Sequence, residues 1–178
     1  MSLGDGAAAV LLSAHAEESI GARLIGRGGA NDACHVTGPD RVGAGVSLAA
    51  ERALHQAGIG AGQVDLVHLH GTGTRANDGA EALGLVDLFG GSTPPAFGTK
   101  AQTGHTLGAA GVLETCLLIE ALRRGVAPRN VGLEDPDVVE HLDLVRSARA
   151  LVAPLGERIG LKVASGFGGI AAALVVTA

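Results

Sequence analysis

The stretch Val64-Asp65-Leu66-Val67-His68-Leu69-His70-Gly71-Thr72-Gly73-Thr74 decides the reading of this chain. Its apolar run alternates weakly between Gly62 and Gly71, the pattern of a mostly buried strand that empties into a glycine-rich loop. His70 therefore stands at a strand's C-terminal end, where open α/β sheets place their ligands. Upstream, Leu48, Ala49, Ala53, Leu54 and Ala57 recur at helical spacing over Ser47 to Ala57, with Gly58 as the stop. Downstream, Asp78 and Glu81 read as a capping box for a helix ending at Gly90-Gly91, and Ala96 to Thr99 reads as a strand. Leu107 to Arg124 is apolar almost all round and ends in Arg123-Arg124-Gly125, which predicts a buried, well-capped helix. Further strands are expected at Ala7 to Leu12, Ala22 to Arg27, Leu142 to Val145, Gly160 to Ala164 and Ala171 to Thr177. Helix and strand alternate through the middle of the chain, so the expected class is α/β with a mixed sheet.

Composition narrows the possible partners. Of 178 residues, 29 are glycine and only 2% are aromatic, so the core must pack by close backbone approach. A net charge of -5 gives no basic field for phosphates, which argues against nucleic acid. Cys34 and Cys116 lack C-x-x-C spacing, as expected of a reducing compartment. No apolar stretch reaches the ~20 residues that cross a bilayer, and the first residues do not form a secretory signal. The default expectation is a cytoplasmic protein.

Three segments carry possible chemistry: His70 to Thr74; Gly98-Thr99-Lys100 with Thr103-Gly104-His105; and Gly166-Phe167-Gly168-Gly169. Singly each is weak, since a lone histidine at a strand end is more often structural than catalytic. Their order is informative. H-G-T-G-T, then T-K, then T-G-H-x-x-G-A-A-G with Glu114 three residues beyond, resembles the C-terminal half of elongating β-ketoacyl-acyl carrier protein synthases and the related polyketide ketosynthases. The similarity begins at Leu3-Gly4-Asp5-Gly6-Ala7 and continues through Asp32-Ala33, His35-Val36-Thr37, Asp78 and Ala80-Glu81-Ala82. It reaches Asp135-Pro136-Asp137 before the final glycine-rich turn.

The resemblance implies a thiolase-type fold made of two similar halves. Residues 31–178 would form the C-terminal domain, a five-stranded mixed sheet packed by helices. Residues 1–30 would be two orphan strands of the absent first half. The implied reaction is decarboxylative Claisen condensation of malonyl-acyl carrier protein with an acyl chain held on a cysteine of that half. By resemblance, His70 and His105 are the two donors to the developing enolate oxygen, Lys100 is the active-site lysine and Glu114 its buried partner. In physical terms, two preorganised N–H donors in a dry pocket stabilise that oxygen better than water does. An amide at the start of the helix after His105 can donate to one ring nitrogen and leave the proton on the other. Without the resemblance, Lys100 and Glu114 would be read as an ordinary ion pair. Thr72 and Thr74 fall in the first motif, and His35 with Thr37 in a loop near the pocket. Phe167 and Gly168 match the turn whose backbone N–H serves the acyl carbonyl.

Where the family reads N-S-F-G-F-G-G-T-N, this chain has Val163-Ala164-Ser165-Gly166-Phe167-Gly168-Gly169-Ile170-Ala171. Ser165 replaces a phenylalanine that gates the acyl pocket, and Ile170 and Ala171 replace hydrogen-bonding residues. Neither cysteine lies in the nucleophile motif, so a complementary N-terminal half or catalytic subunit is required, as a homo- or heterodimer. The alternative is a non-catalytic partner similar to a chain-length factor. A metal role for His68 and His70, which alternate on one strand face, lacks a third ligand at clear spacing. No complete G-x-G-x-x-G opens a helix after a strand, and no cofactor is expected.

Overall fold

The computed structural model describes residues 1–15, 21–133, 141–152 and 157–178. Five strands form one mixed sheet: β1 (Arg23–Asn31), β2 (Leu66–His68), β3 (Ala96–Phe97), β6 (Ile159–Gly166) and β7 (Ile170–Thr177), in the order β1-β7-β6-β2-β3. β7 runs antiparallel to both β1 and β6, whereas β2 is parallel to β6 and to β3. The C-terminal ends of β2, β3 and β6 thus face one side. A separate two-stranded ribbon, β4 (Val126–Ala127) with β5 (Arg149–Ala150), was not legible in the sequence.

Helix α1 (Ala44–Ala57) covers one face of the sheet and α4 (Ala110–Arg124) the other. Ala49, Ala50 and Ala53 of α1 pack with Val67, Leu161, Val163 and Val175, while Leu118 and Leu122 of α4 pack with Leu66, Phe97 and Val176. Small residues make this possible. A Cβ on Gly28 would lie 2.0 Å from the Ala49 carbonyl oxygen, and one on Gly26 would lie 2.2 Å from that of Ala53. Helix α1 rides directly on the backbone of β1.

The expectation of orphan strands is corrected here. Ala22 to Arg27 lies largely within β1, which is paired along its length with β7 and sealed by α1, so it does not wait for an absent sheet. Ala7 to Leu12 forms no strand; among the described residues nothing pairs with it, and Val10, Leu11 and Leu12 are exposed. Three other elements differ in detail. Helix α2 (Arg75–Leu88) starts before Asp78, because Thr74 is its extended N-cap residue and the Asp78 N–H already bonds to the Thr74 carbonyl. The helix expected from Leu107 opens as a 3₁₀ turn (Leu107–Ala109), with Leu107 at φ 50°, and continues as α4 only from Ala110. Leu142 to Val145 reaches the β3 edge through a single bridge, Ala96 to Leu144. Asp135-Pro136-Asp137 lies outside the described residues.

Close approach of α1 predicts a position-specific penalty. Gly28→Ala should cost at least about 1–3 kcal/mol of unfolding free energy by overpacking. Gly29→Ala, whose Cβ meets nothing nearer than 3.8 Å, should cost less. Urea unfolding of the two variants checks the difference, and equal losses would contradict the packing described.

Candidate active site

His70 follows β2 at the sheet's C-terminal edge. Its loop is held by α2: Glu81 accepts the His70 N–H at 2.5 Å and the Gly71 N–H at 2.9 Å. The carboxylate expected to cap α2 instead fixes the strand tip. Gly71 and Gly73 take φ values of 52° and 71°, which let the chain turn at once after the strand. Thr72 and Thr74 hydroxyls bond each other at 2.8 Å and, beside Asp78, line a cleft of about 640 Å³ with Lys100 and Asn130.

Lys100 opens the short helix α3 (Lys100–Thr103) just beyond β3. Its ammonium lies 2.5 Å from Glu114 Oε1, donates to the His70 carbonyl, and stands 3.4 Å from His70 Nδ1. An ammonium has no acceptor, so Nδ1 accepts and the ring proton resides on Nε2. His105 reaches the same arrangement through another contact. Its Nδ1 accepts the Leu107 N–H at 3.1 Å, which again leaves Nε2 protonated. The donor belongs to the 3₁₀ turn; α4 itself begins later. The His105 backbone is bracketed by the extended start of the chain, donating to Ser2 O at 2.8 Å and accepting from Gly4 N at 3.2 Å.

The two rings meet edge to face, with centroids 5.5 Å apart and planes at 83°. Both are held neutral. Burial first, then the positive charges of Lys100 and Lys162, push the His70 pKa down to about 3. Burial and Lys100 lower that of His105.

Two groups here escaped sequence reading. Lys162 of β6 is buried and pairs with Glu114 Oε2 at 2.8 Å, so one carboxylate serves two ammoniums. A single lysine inside the apolar strand Gly160 to Ala164 was the signal. Glu81 was read as a helix cap and as part of the family resemblance, not as a residue of the site. His68 is buried, with Nδ1 donating to Leu69 O at 2.9 Å and Nε2 3.3 Å from the Thr99 hydroxyl. Both of its nitrogens are engaged, and its pKa is well lowered, by burial first and Lys162 next.

The remaining expected residues form a second group. His35 Nδ1 accepts the N–H groups of Thr37 and Gly38, and so orders its own loop. That loop is tied to the β6–β7 turn where the Gly168 N–H donates to Val36 O at 2.7 Å. Phe167 is exposed at this turn and Ser165 is half-buried on β6. Among the described residues, no hydrogen bond joins this group to His70 or His105. Cys34 is exposed and Cys116 half-buried on α4.

Residues 22–134 match the family described as Beta-ketoacyl synthase, C-terminal domain. The chain belongs to that family. It is 40% identical over 150 residues to 3-oxoacyl-(acyl-carrier-protein) synthase 2 of Coxiella burnetii, covering 80% of this chain and 36% of that protein. It is 38% identical over 177 residues to the chloroplastic 3-oxoacyl-(acyl-carrier-protein) synthase II of Arabidopsis thaliana, covering 94% and 32%. A ketosynthase in complex with its chain length factor from Xenorhabdus doucetiae superposes with a TM-score of 0.80 at 33% identity, covering 89% of this chain and 39% of that one. The chain thus spans between 32% and 39% of these relatives' lengths. Its fold is the thiolase-like one of these ketosynthases.

The depressed histidines give the synthase domain a defined acid response. His68 and His70 are bases whose folded pKa lies below the ordinary 6.5. As pH falls, the unfolded chain takes up their protons first. Their contribution to stability is therefore complete above 6.5 and is lost as pH falls towards about 3 for His70. Below pH 6 the slope should approach about 1.4 kcal/mol per pH unit for each histidine. Urea midpoints between pH 7 and pH 5 test this, and His70→Asn should flatten the dependence.

Proposed function

We propose that this domain supplies the His70, His105 and Lys100 part of a site for decarboxylative condensation of malonyl-acyl carrier protein with an enzyme-bound acyl thioester. The observation that carries the reading is the pair of neutral imidazoles 5.5 Å apart, each with Nδ1 occupied and Nε2 left to donate. Loss of carbon dioxide from the malonyl group leaves its electron pair on the thioester enolate. Two Nε2–H donors aimed at that oxygen stabilise the developing charge, and Lys100 adds a cation behind His70. The enolate carbon then attacks the acyl carbonyl, and the cysteine sulfur that carried the acyl chain leaves as thiolate.

That cysteine belongs to a complementary chain or segment. Cys34 stands exposed in a loop and Cys116 half-buried on α4, both outside the family's nucleophile motif. Residues before β1, with Val10, Leu11 and Leu12 exposed, are the part assigned to contact with that complement, in a homo- or heterodimer. The acyl carrier protein is the second partner, and the cytoplasm the compartment. One solved relative is an acyl-carrier protein in complex with its ketosynthase, 25% identical to this chain with a TM-score of 0.78. Ser165, in place of the gating ring, widens the proposed acyl entrance. A second reading, a non-catalytic partner subunit, draws on the likeness to ketosynthase and chain length factor assemblies and on Ser165 and Ile170.

Reconstitution separates the two. The chain is combined with a separately produced first half, and malonyl-acyl carrier protein decarboxylation is followed. Under the enzyme reading, His70→Ala or His105→Ala slows decarboxylation by roughly 10²–10³, the typical cost of one oxyanion donor. Decarboxylation that proceeds equally well without either ring would establish the partner-subunit reading instead.

A further inference from the structure

The chain contains only two lysines, Lys100 and Lys162, beside eleven arginines, and both lysines are buried against the same carboxylate. Lys100 takes Glu114 Oε1 and Lys162 takes Oε2. Lys162 also donates to the carbonyls of Val163 and Leu69, the latter at 3.3 Å. Leu69 is the residue immediately before His70.

One ammonium is enough to compensate Glu114. Each further ion removed from water is costly, so a second lysine on the same carboxylate is poorly explained by packing alone. Its effect is electrostatic and positional. Two ammoniums against one carboxylate leave a single positive charge in excess under the rings. The facing groups are Lys100 from α3, Lys162 from β6, Glu114 from α4, Asp78 and Glu81 from α2, the buried His68 from β2, whose Nδ1 shares the Leu69 carbonyl with Lys162, and the two histidines themselves. Glu81 is occupied by the His70 and Gly71 N–H groups, and burial draws it towards its neutral form.

We propose that Lys162 is a positioning residue for the histidine pair, pinning the Leu69 carbonyl and supplying the uncancelled charge that keeps both imidazoles in their neutral, donating form. Its use for a developing enolate rests on the condensation reading; its action on the rings does not. The same charge favours an anion between the rings and disfavours a proton there.

Ring carbon and nitrogen resonances of His70 and His105, followed by NMR from pH 3 to pH 8, test this on the chain without substrate. Lys162→Met should raise the His70 midpoint from about 3 by at least one pH unit, about a tenfold gain in proton affinity, and raise that of His105 as well. Lys162→Arg, which retains the charge, should keep both low. Midpoints in Lys162→Met that match the wild type would overturn the proposal. Should Lys162→Met not fold, the wild-type chain decides by itself, because two lysines give two side-chain nitrogen signals. Raising the pH until the first of them titrates must shift the His70 ring resonances, and rings indifferent to that step would also overturn it. Reconstituted decarboxylation is scored apart from these readouts, so a failed condensation reading and a failed role for Lys162 remain distinguishable.

Discussion

Glu114, buried and shared by two ammoniums, is the constraint on which the site depends. A carboxylate in this position is tolerable only while both oxygens are matched by charge, and the match exists only while α4 lies close against β6. Closeness comes from a missing side chain. A Cβ on Gly160 would lie 2.9 Å from both Leu118 Cδ1 and Leu122 Cδ1, so the strand presents bare backbone where the helix presses. Glu114, Leu118 and Leu122 follow one another at four-residue intervals on a single helical face. The two leucines that seal the apolar core thereby carry the carboxylate to Lys100 and Lys162. Packing and electrostatics here are one arrangement, and loosening either releases the other.

The two histidines reach the same tautomer by unlike means. His70 is enclosed, its backbone clamped by Glu81 and its Nδ1 faced by Lys100. His105 is more open, and its position depends on backbone contacts. Gly104 turns at φ 68°, where a Cβ would lie 2.7 Å from Gly4 N, and Ser2 and Gly4 bracket the His105 peptide. A segment distant in sequence, without regular structure of its own, therefore holds one of the two rings. Its glycines, Gly4 and Gly104, permit the approach: a Cβ on Gly4 would lie 2.1 Å from the Thr103 carbonyl oxygen.

Much of this was legible because local pattern and global role coincide. Ser47 to Ala57 shows helical spacing and an αL glycine stop, and the helix ends where those marks place it. His70, Lys100 and His105 stand at element boundaries, and three elements converge on one sheet edge, so motif order and geometry agree. Lys162 escaped because a strand's two-residue period places it on a buried face where lysine carries no pattern signal; only its partner, 48 positions earlier on α4, explains it. Glu81 was misassigned for the opposite reason. Its spacing from Asp78 mimics a capping box, while the N–H groups it satisfies belong to His70 and Gly71, eleven and ten residues before it. Strand Ala7 to Leu12 was read from apolar content alone, and apolar content cannot supply the neighbouring edge that a strand requires.

The arrangement also explains why the domain by itself is chemically half of a site on the proposed reading. Everything gathered at the sheet edge disposes of negative charge: two imidazole donors, an excess cation beneath them, and a buried carboxylate already spent on the lysines. Among the described residues, nothing gathered there is a nucleophile for a carbonyl. A nucleophilic thiolate in the same cluster would compete for the excess positive charge and draw it from the enolate oxygen. Placing the thiolate on another half lets that half tune its own sulfur with its own surroundings, while this one keeps both rings neutral. The Gly168 N–H is spent on the Val36 carbonyl, and among the described residues no hydrogen bond joins its turn to the histidines, so on the proposed reading the enolate oxygen has donors of its own. Two anions that form one after the other need not share one set of donors, and a pair of neutral imidazoles backed by an excess cation is a set suited to the enolate.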